Sequence, residues 1–322
     1  MLSTHKDDNF CYPIPDVLET TKLRLVPFVP SIHAPLILQS TTTATWHYLP
    51  FGPFPTAEAL VEDFYEARIH RNRGDTLFVG YDLTGQTKTN DEEGEGGVDD
   101  GDRGGGAEGD KGDNNNDEGT PAGICGYVYT NPSDLYTELF VLAFPRYHHT
   151  HVASHMIGLL MRYALDLPSP SPPSPGPSPT SLGGDGIGGS GVGGSGGGGS
   201  GGPGGLGLRR VQWSANVHNH GSIGLARKMG FRVEGVRRWA RVLDSDKGEG
   251  GNGEGGAGNG EGGAGNGEAG AGNGEGGAGN GIKRRKGDPR EECPGRDTVG
   301  LAICWDEWEE GGRERVEGIL GV

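Results

Sequence analysis

His148, His149, His151 and His155 crowd one short stretch of the chain, and two chemistries would use them. Metal binding is the first: His151 and His155 stand four apart, one turn of a helix, but no cysteine or carboxylate nearby completes a ligand set, so no metal is expected. Anion binding is the second. The histidines separate an apolar run, Leu139 to Phe144, from a run in which Val152, Met156, Leu159, Leu160 and Tyr163 recur at helical spacing. A strand-to-helix turn over His148, His149, Thr150, His151, Val152 and Ala153 would aim unpaired backbone N–H groups and the positive helix end at one point. That is a seat for phosphate or pyrophosphate. Any buried strand followed by a helix has such a turn, so a purely structural reading stays open.

Other reactive side chains are sparse. Glu138 opens the apolar strand, where it serves either as a base or as an ordinary strand-end residue. Asn219 and Ser222 are types favoured at caps and turns, and they open a short helix that Gly230 closes as a left-handed cap with Phe231 packing back. Trp46 and Trp213 are large enough to wall a substrate pocket or to fill a core. Lys283 to Lys286 is a basic run without neighbouring stacked aromatics, so nucleic acid is not expected as a partner, although the run leaves nuclear entry open. Cys11, Cys125, Cys293 and Cys304 are widely spaced, which fits a reduced chain. No apolar signal-peptide core or membrane-length run is present; a cytoplasmic protein with no membrane partner is expected. The oligomeric state is not set by these features.

The elements that must hold these residues follow from periodicity and turn chemistry. Strands are expected at Thr21–Val29, Asp75–Leu83, Ala122–Thr130, Leu139–Phe144, Leu208–Ala215, Arg232–Leu243 and Thr298–Trp305. Helices are expected after Ser31, after the cap residue Thr56, over the run from Val152, and over Asn219–Lys228. The order predicts an α/β (α+β) domain, a mixed sheet with helices on both faces.

Bulk composition misleads. Three tracts, 90–118, 168–205 and 247–281, hold 45 of the 65 glycines, and the first and third account for most of the net charge of −16. The last repeats the heptad GNGEGGA, which without apolar residues cannot be a coiled coil. These tracts read as insertions in loops, whose closure entropy grows only logarithmically with length. The expected plan is an N-terminal arm at 1–18, one domain at 19–310 interrupted at 85–119, 168–205 and 247–290, and a C-terminal tail at 311–322.

The segment Val211–Gly235, VQWSANVHNHGSIGLARKMGFRVEG, resembles the closing motif of the GNAT N-acetyltransferases, in particular the branch of ribosomal-protein N-acetyltransferases. The matching positions are Asn219, Ser222, Gly230, Phe231, Glu234 and Gly235. Tyr136–Leu167 resembles the acetyl-CoA motif of the same family, and together the likeness spans about Leu18 to Trp308. It implies a mostly antiparallel central sheet with a splayed cofactor cleft and transfer of acetyl from acetyl-CoA to a primary amine by direct attack. The acceptor is an amine-bearing small molecule or a protein N-terminus.

By the same resemblance, Glu138 is the candidate base, Ser222 assists the departing thiolate, and Asn219 orients cofactor or loop. Leu142 and Phe144, on the first strand of the cleft, line the cofactor with the turn His148–Ala153, and the thioester carbonyl takes a backbone N–H from that strand. Trp46 and Trp213 are the candidate substrate wall. The family turn is Arg/Gln-x-x-Gly-x-Gly/Ala, and here His148 and His151 replace its first position and first glycine. His151 therefore implies an altered approach, weaker binding, or a side chain that contributes its own donor. A second reading is an acyl-CoA-binding module without catalysis, used for sensing or partner recruitment.

Overall fold

The computed structural model describes residues 9–85, 119–169, 204–248 and 284–322. Short apolar-alternating runs become β1 (Leu18–Glu19), β2 (Leu23–Pro27) and β3 (Thr76–Asp82), followed by β4 (Thr120–Asn131) and β5 (Tyr136–Ala143). The sheet is completed by β6 (Arg210–Asn216), β7 (Arg232–Val242) and β8 (Gly295–Cys304). Its order is β1-β2-β3-β4-β5-β6-β8-β7. Every neighbouring pair is antiparallel except β5 with β6. This is the mixed, mostly antiparallel α/β sheet that the sequence predicts.

α3 (Val152–Leu165) covers one face of this sheet. It can lie close because Gly80 and Gly123 are paired beneath it: a Cβ on Gly80 would stand 2.9 Å from Met156 Sδ. Tyr127 ties the layers by donating its hydroxyl to Leu160 O at 2.6 Å. On the other face lie α1 (Pro30–Ser40) and α2 (Ala57–Ala59), whose axis runs on through Leu60–His70. Thr56 caps α2 by accepting from Ala59 N. Phe64 on this helix packs against Phe51 and against Phe140 of β5. α4 (His220–Lys228) follows β6.

Both chain ends pack on the domain. In the expected arm, Phe10 stacks on Tyr127 with centroids 6.0 Å apart, and Tyr163 donates to Pro13 O. The expected tail at 311–322 is largely helical. After α5 (Trp305–Glu307), α6 (Arg313–Leu320) buries Val316 and Leu320, and Leu320 fills the space over Gly158 of α3. Apolar side chains are few in this polar stretch, but Trp308, Val316 and Leu320 fall on its inner side, where burying each is worth roughly 1.5–3 kcal/mol.

The expected insertions fall largely outside the described residues, but their flanks are fastened. Asp82 pairs with Thr120, Gly207 N donates to Asp166 O and Leu208 N to Ala164 O, and Val242 pairs with Gly295. Each tract thus leaves and returns through a closed hydrogen-bonded pair.

Candidate active site

β5 and β6 pair only at Tyr136–Arg210, Thr137–Val211 and Glu138–Gln212, yet β5 continues to Ala143 and β6 to Asn216. Beyond Glu138 each strand follows its outer neighbour, β4 or β8, and the two part. A bulge in β4 between Val128 and Asn131, with Tyr129 at φ 56°, lies opposite the start of β5. Such a bulge adds twist where β5 leaves β6. The result is a wedge in the sheet with Glu138 at its apex.

The ladder decides which backbone groups face that wedge. Phe144 N donates to Ala122 O at 2.9 Å, so Phe144 turns its amide to β4. Because amides alternate along an antiparallel strand, Leu142 does the same, while Val141 and Ala143 turn theirs to the wedge. The backbone donors that face the wedge are thus those of Val141 and Ala143, and Leu142 and Phe144, expected to line the cofactor, turn their amides away from it. Period-two reasoning could have found Val141 and Ala143 only with the β4 register in hand.

The histidine turn is built differently from the expected pattern. Its left-handed residue is His149, at φ 61°, whereas His151 has the ordinary helical φ of −68° and needs no glycine. Thr150 Oγ1 donates to Tyr147 O and accepts from Val152 N. His148 lies at the surface with Nε2 3.3 Å from Ala143 O. The His151 ring is turned toward the sheet: Nε2 lies 3.1 Å from Asp82 Oδ1, without hydrogen-bond alignment. His155 packs edge-on against His151 and meets Thr20 Oγ1 through Nδ1 at 2.9 Å. Burial, with His151 and Lys22 adding to it, holds the His155 pKa down to about 4. Among the described residues no three His, Cys, Asp or Glu side chains converge as a metal site.

Asn219 and Ser222 come together at the start of α4. Asn219 Oδ1 caps the helix by accepting from Ser222 N at 3.0 Å. Ser222 Oγ accepts from Trp213 Nε1 at 3.0 Å, which leaves the hydroxyl proton free to be donated elsewhere. Trp213 is therefore a support for Ser222 rather than a substrate wall; it is 3% exposed and packs on Phe231. Trp46 is likewise core, 2% exposed between Phe51 and Phe54. Both substrate-wall assignments are corrected by this burial. Gly230, at φ 101°, ends α4 and brings Phe231 back under it through Phe231 N to Ala226 O.

Around Glu138 the structure gathers residues that sequence reasoning missed. The carboxylate is hydrogen-bonded by Ser214, and Ser214 Oγ accepts from Arg237 Nη2 at 2.6 Å. Arg241 donates to Tyr129 OH at 2.9 Å, and Arg296 completes the group. Burial pushes the Glu138 carboxyl above the usual carboxylate range, against the pull of Ser214, Arg237, Arg241 and Arg296. Arg237 and Arg241 stand four apart in β7, a weak signal; register with Thr298 and Arg296 is what puts them beside Glu138.

No family model and no curated protein matches this sequence. Solved structures do. A GCN5-related N-acetyltransferase from Brucella melitensis superposes with a TM-score of 0.53 at 14% identity, over 96% of this chain and 86% of that one. A GNAT-family protein from Chromobacterium violaceum ATCC 12472 gives 0.50 at 16% identity, over 96% and 93%. At such identities the likeness is one of backbone architecture, and together with the parted β5 and β6 it shows that this chain has the GNAT fold.

Proposed function

We propose that this protein is an N-acetyltransferase that moves acetyl from acetyl-CoA to a primary amine in a ternary complex, without a covalent enzyme intermediate. The observation that carries the reading is Glu138 at the apex of the parted strands, half-buried and poised to take a proton. The wedge fits an extended acyl-pantetheine arm, because Val141 and Ala143 turn their amides toward it along one side. The turn at His149–Ala153 and the N-terminus of α3 would receive the pyrophosphate. Asn219-x-x-Ser222 with Gly230–Phe231 supports the ribosomal-protein N-acetyltransferase branch.

Bound acetyl-CoA supplies the acetyl group as a thioester, whose C–S bond breaks as the C–N bond to the amine forms. Glu138 accepts the proton the ammonium must lose, directly or through a water, and its raised pKa brings it nearer to that task. Val141 or Ala143 N–H stabilises charge on the carbonyl oxygen. Ser222, held by Trp213, donates its hydroxyl hydrogen bond to the leaving sulfur, which takes up the second proton that the nitrogen sheds as the amide forms. Calorimetry with acetyl-CoA and CoA, followed by thiol release with a panel of amines, tests the reading. Micromolar binding and amine-dependent thiol release are expected. Binding without thiol release for any amine would instead favour the acyl-CoA-binding module, and absence of binding would defeat both.

A further inference from the structure

The side chains around Glu138 are unbalanced in charge. Arg237 and Arg241 of β7 and Arg296 of β8 share one face with Glu138 and Ser214, since Arg237 pairs with Thr298, Arg241 with Arg296, and Ser214 with Gly300. Three guanidiniums thus meet one carboxylate. Arg237 spends an N–H on Ser214 and Arg241 one on Tyr129. Arg296 is 8% exposed, and its Nε has no hydrogen-bond partner among the described residues. Burial, compounded by Arg241 and opposed by Glu138, lowers its pKa to about 10. A buried guanidinium with an idle donor and two like charges beside it is costly unless an anion completes the set.

We infer that this basin receives an amine that also carries a carboxylate, with the carboxylate on Arg296 and Arg241 and the amine toward Glu138. The inference rests on the acetyl-transfer reading for the identity of the reaction, and it adds the class of acceptor. A guanidinium fork matches a carboxylate in two parallel hydrogen bonds, which an amide or hydroxyl cannot reproduce at equal strength. Glu138 meanwhile attracts the ammonium end, so the basin is complementary to both poles of such a molecule. A polyamine would bring further positive charge against three arginines. Free amino acids and acidic first residues of peptides share the required chemistry.

The test uses the full chain and aspartate, its diamide, which keeps the amine but lacks both carboxylates, a tripeptide amide beginning with aspartate, and spermidine. Each is titrated calorimetrically with and without CoA, and each is assayed for thiol release from acetyl-CoA. Aspartate or the tripeptide is expected to exceed the diamide by roughly tenfold to a hundredfold in affinity and in kcat/KM, the scale of a charge-assisted hydrogen-bond pair. Aspartate binding alone would identify the free amino acid, and tripeptide binding alone a peptide terminus. In Arg241→Gln, an exposed edge-strand change, that ratio should fall toward one, and Arg296→Gln should repeat the result. Diamide or spermidine binding as well as the carboxylates would overturn the inference, as would a ratio unmoved in both variants. Selective carboxylate binding with no thiol release would uphold the basin and defeat the acetyl-transfer reading.

Discussion

Glu138 sits where the sheet parts, and its surroundings raise the pH range over which it titrates. Because burial raises its pKa, the acid limb of the kcat/KM profile should lie above the ordinary carboxylate range. Glu138→Gln should lower kcat by about a hundredfold or more and abolish that limb; wild-type turnover in this variant would remove Glu138 as the base. His155 gives a stability prediction of known sign. Its folded pKa is about 4 against 6.5 unfolded, so the unfolded chain binds the extra proton between those values. Stability is full above pH 6.5 and falls toward pH 4, by up to about 1.4 kcal/mol per unit. Urea unfolding across that window should show a shallower fall in His155→Gln, with the remaining slope owed in part to His33, also held near 4 by burial. An unchanged slope would contradict the burial argument. Glu138, Asn219 and Ser222 were singled out as candidates in the sequence because they stand at positions that resemble family motifs. Arg296 was not, because its place beside Glu138 depends on β7 and β8 being brought into register across the 52 residues between Val242 and Gly295.

At the scale of elements, periodicity located the strands and the long helices, since each carries a face that must be buried. It failed at α6, where a polar helix needs only Val316 and Leu320 to dock and so lacks a strong stripe. Leu320→Ala should destabilise the protein by about 2–5 kcal/mol, because the cavity over Gly158 cannot collapse onto a glycine. Chemical denaturation measures it, and a change below 1 kcal/mol would mean that α6 contributes little to the core. The parting of β5 and β6 was also beyond sequence patterning. Alternation says which residues face which layer, but the loss of pairing past Glu138 follows from the pull of β4 and β8 on either side.

For the whole molecule, the biased composition of the glycine-rich tracts was legible in the sequence, although most of their residues lie outside the described ones. The packing of residues 9–18 against Tyr127 was not, since it rests on Phe10 and a few backbone contacts. Replacing residues 86–118 with a tight turn should leave kcat/KM unchanged and stabilise the fold by about 2 kcal/mol through reduced closure entropy. Thermal and urea unfolding check this, and a destabilised variant would show that the tract contributes contacts of its own.

The third tract has a further anchor. Lys247 is 7% exposed and its Nζ donates to the carbonyls of Trp46, Leu49 and Phe51, the loop between α1 and α2. The GNGEGGA repeats begin just beyond it. With that lysine clamped upstream and Leu243 N fastened to Pro294 O, the two ends of the tract are held independently of its length. Gain or loss of whole repeat units should therefore leave the geometry around Glu138 unchanged, and chains engineered with fewer or more heptads should keep the same acceptor preference.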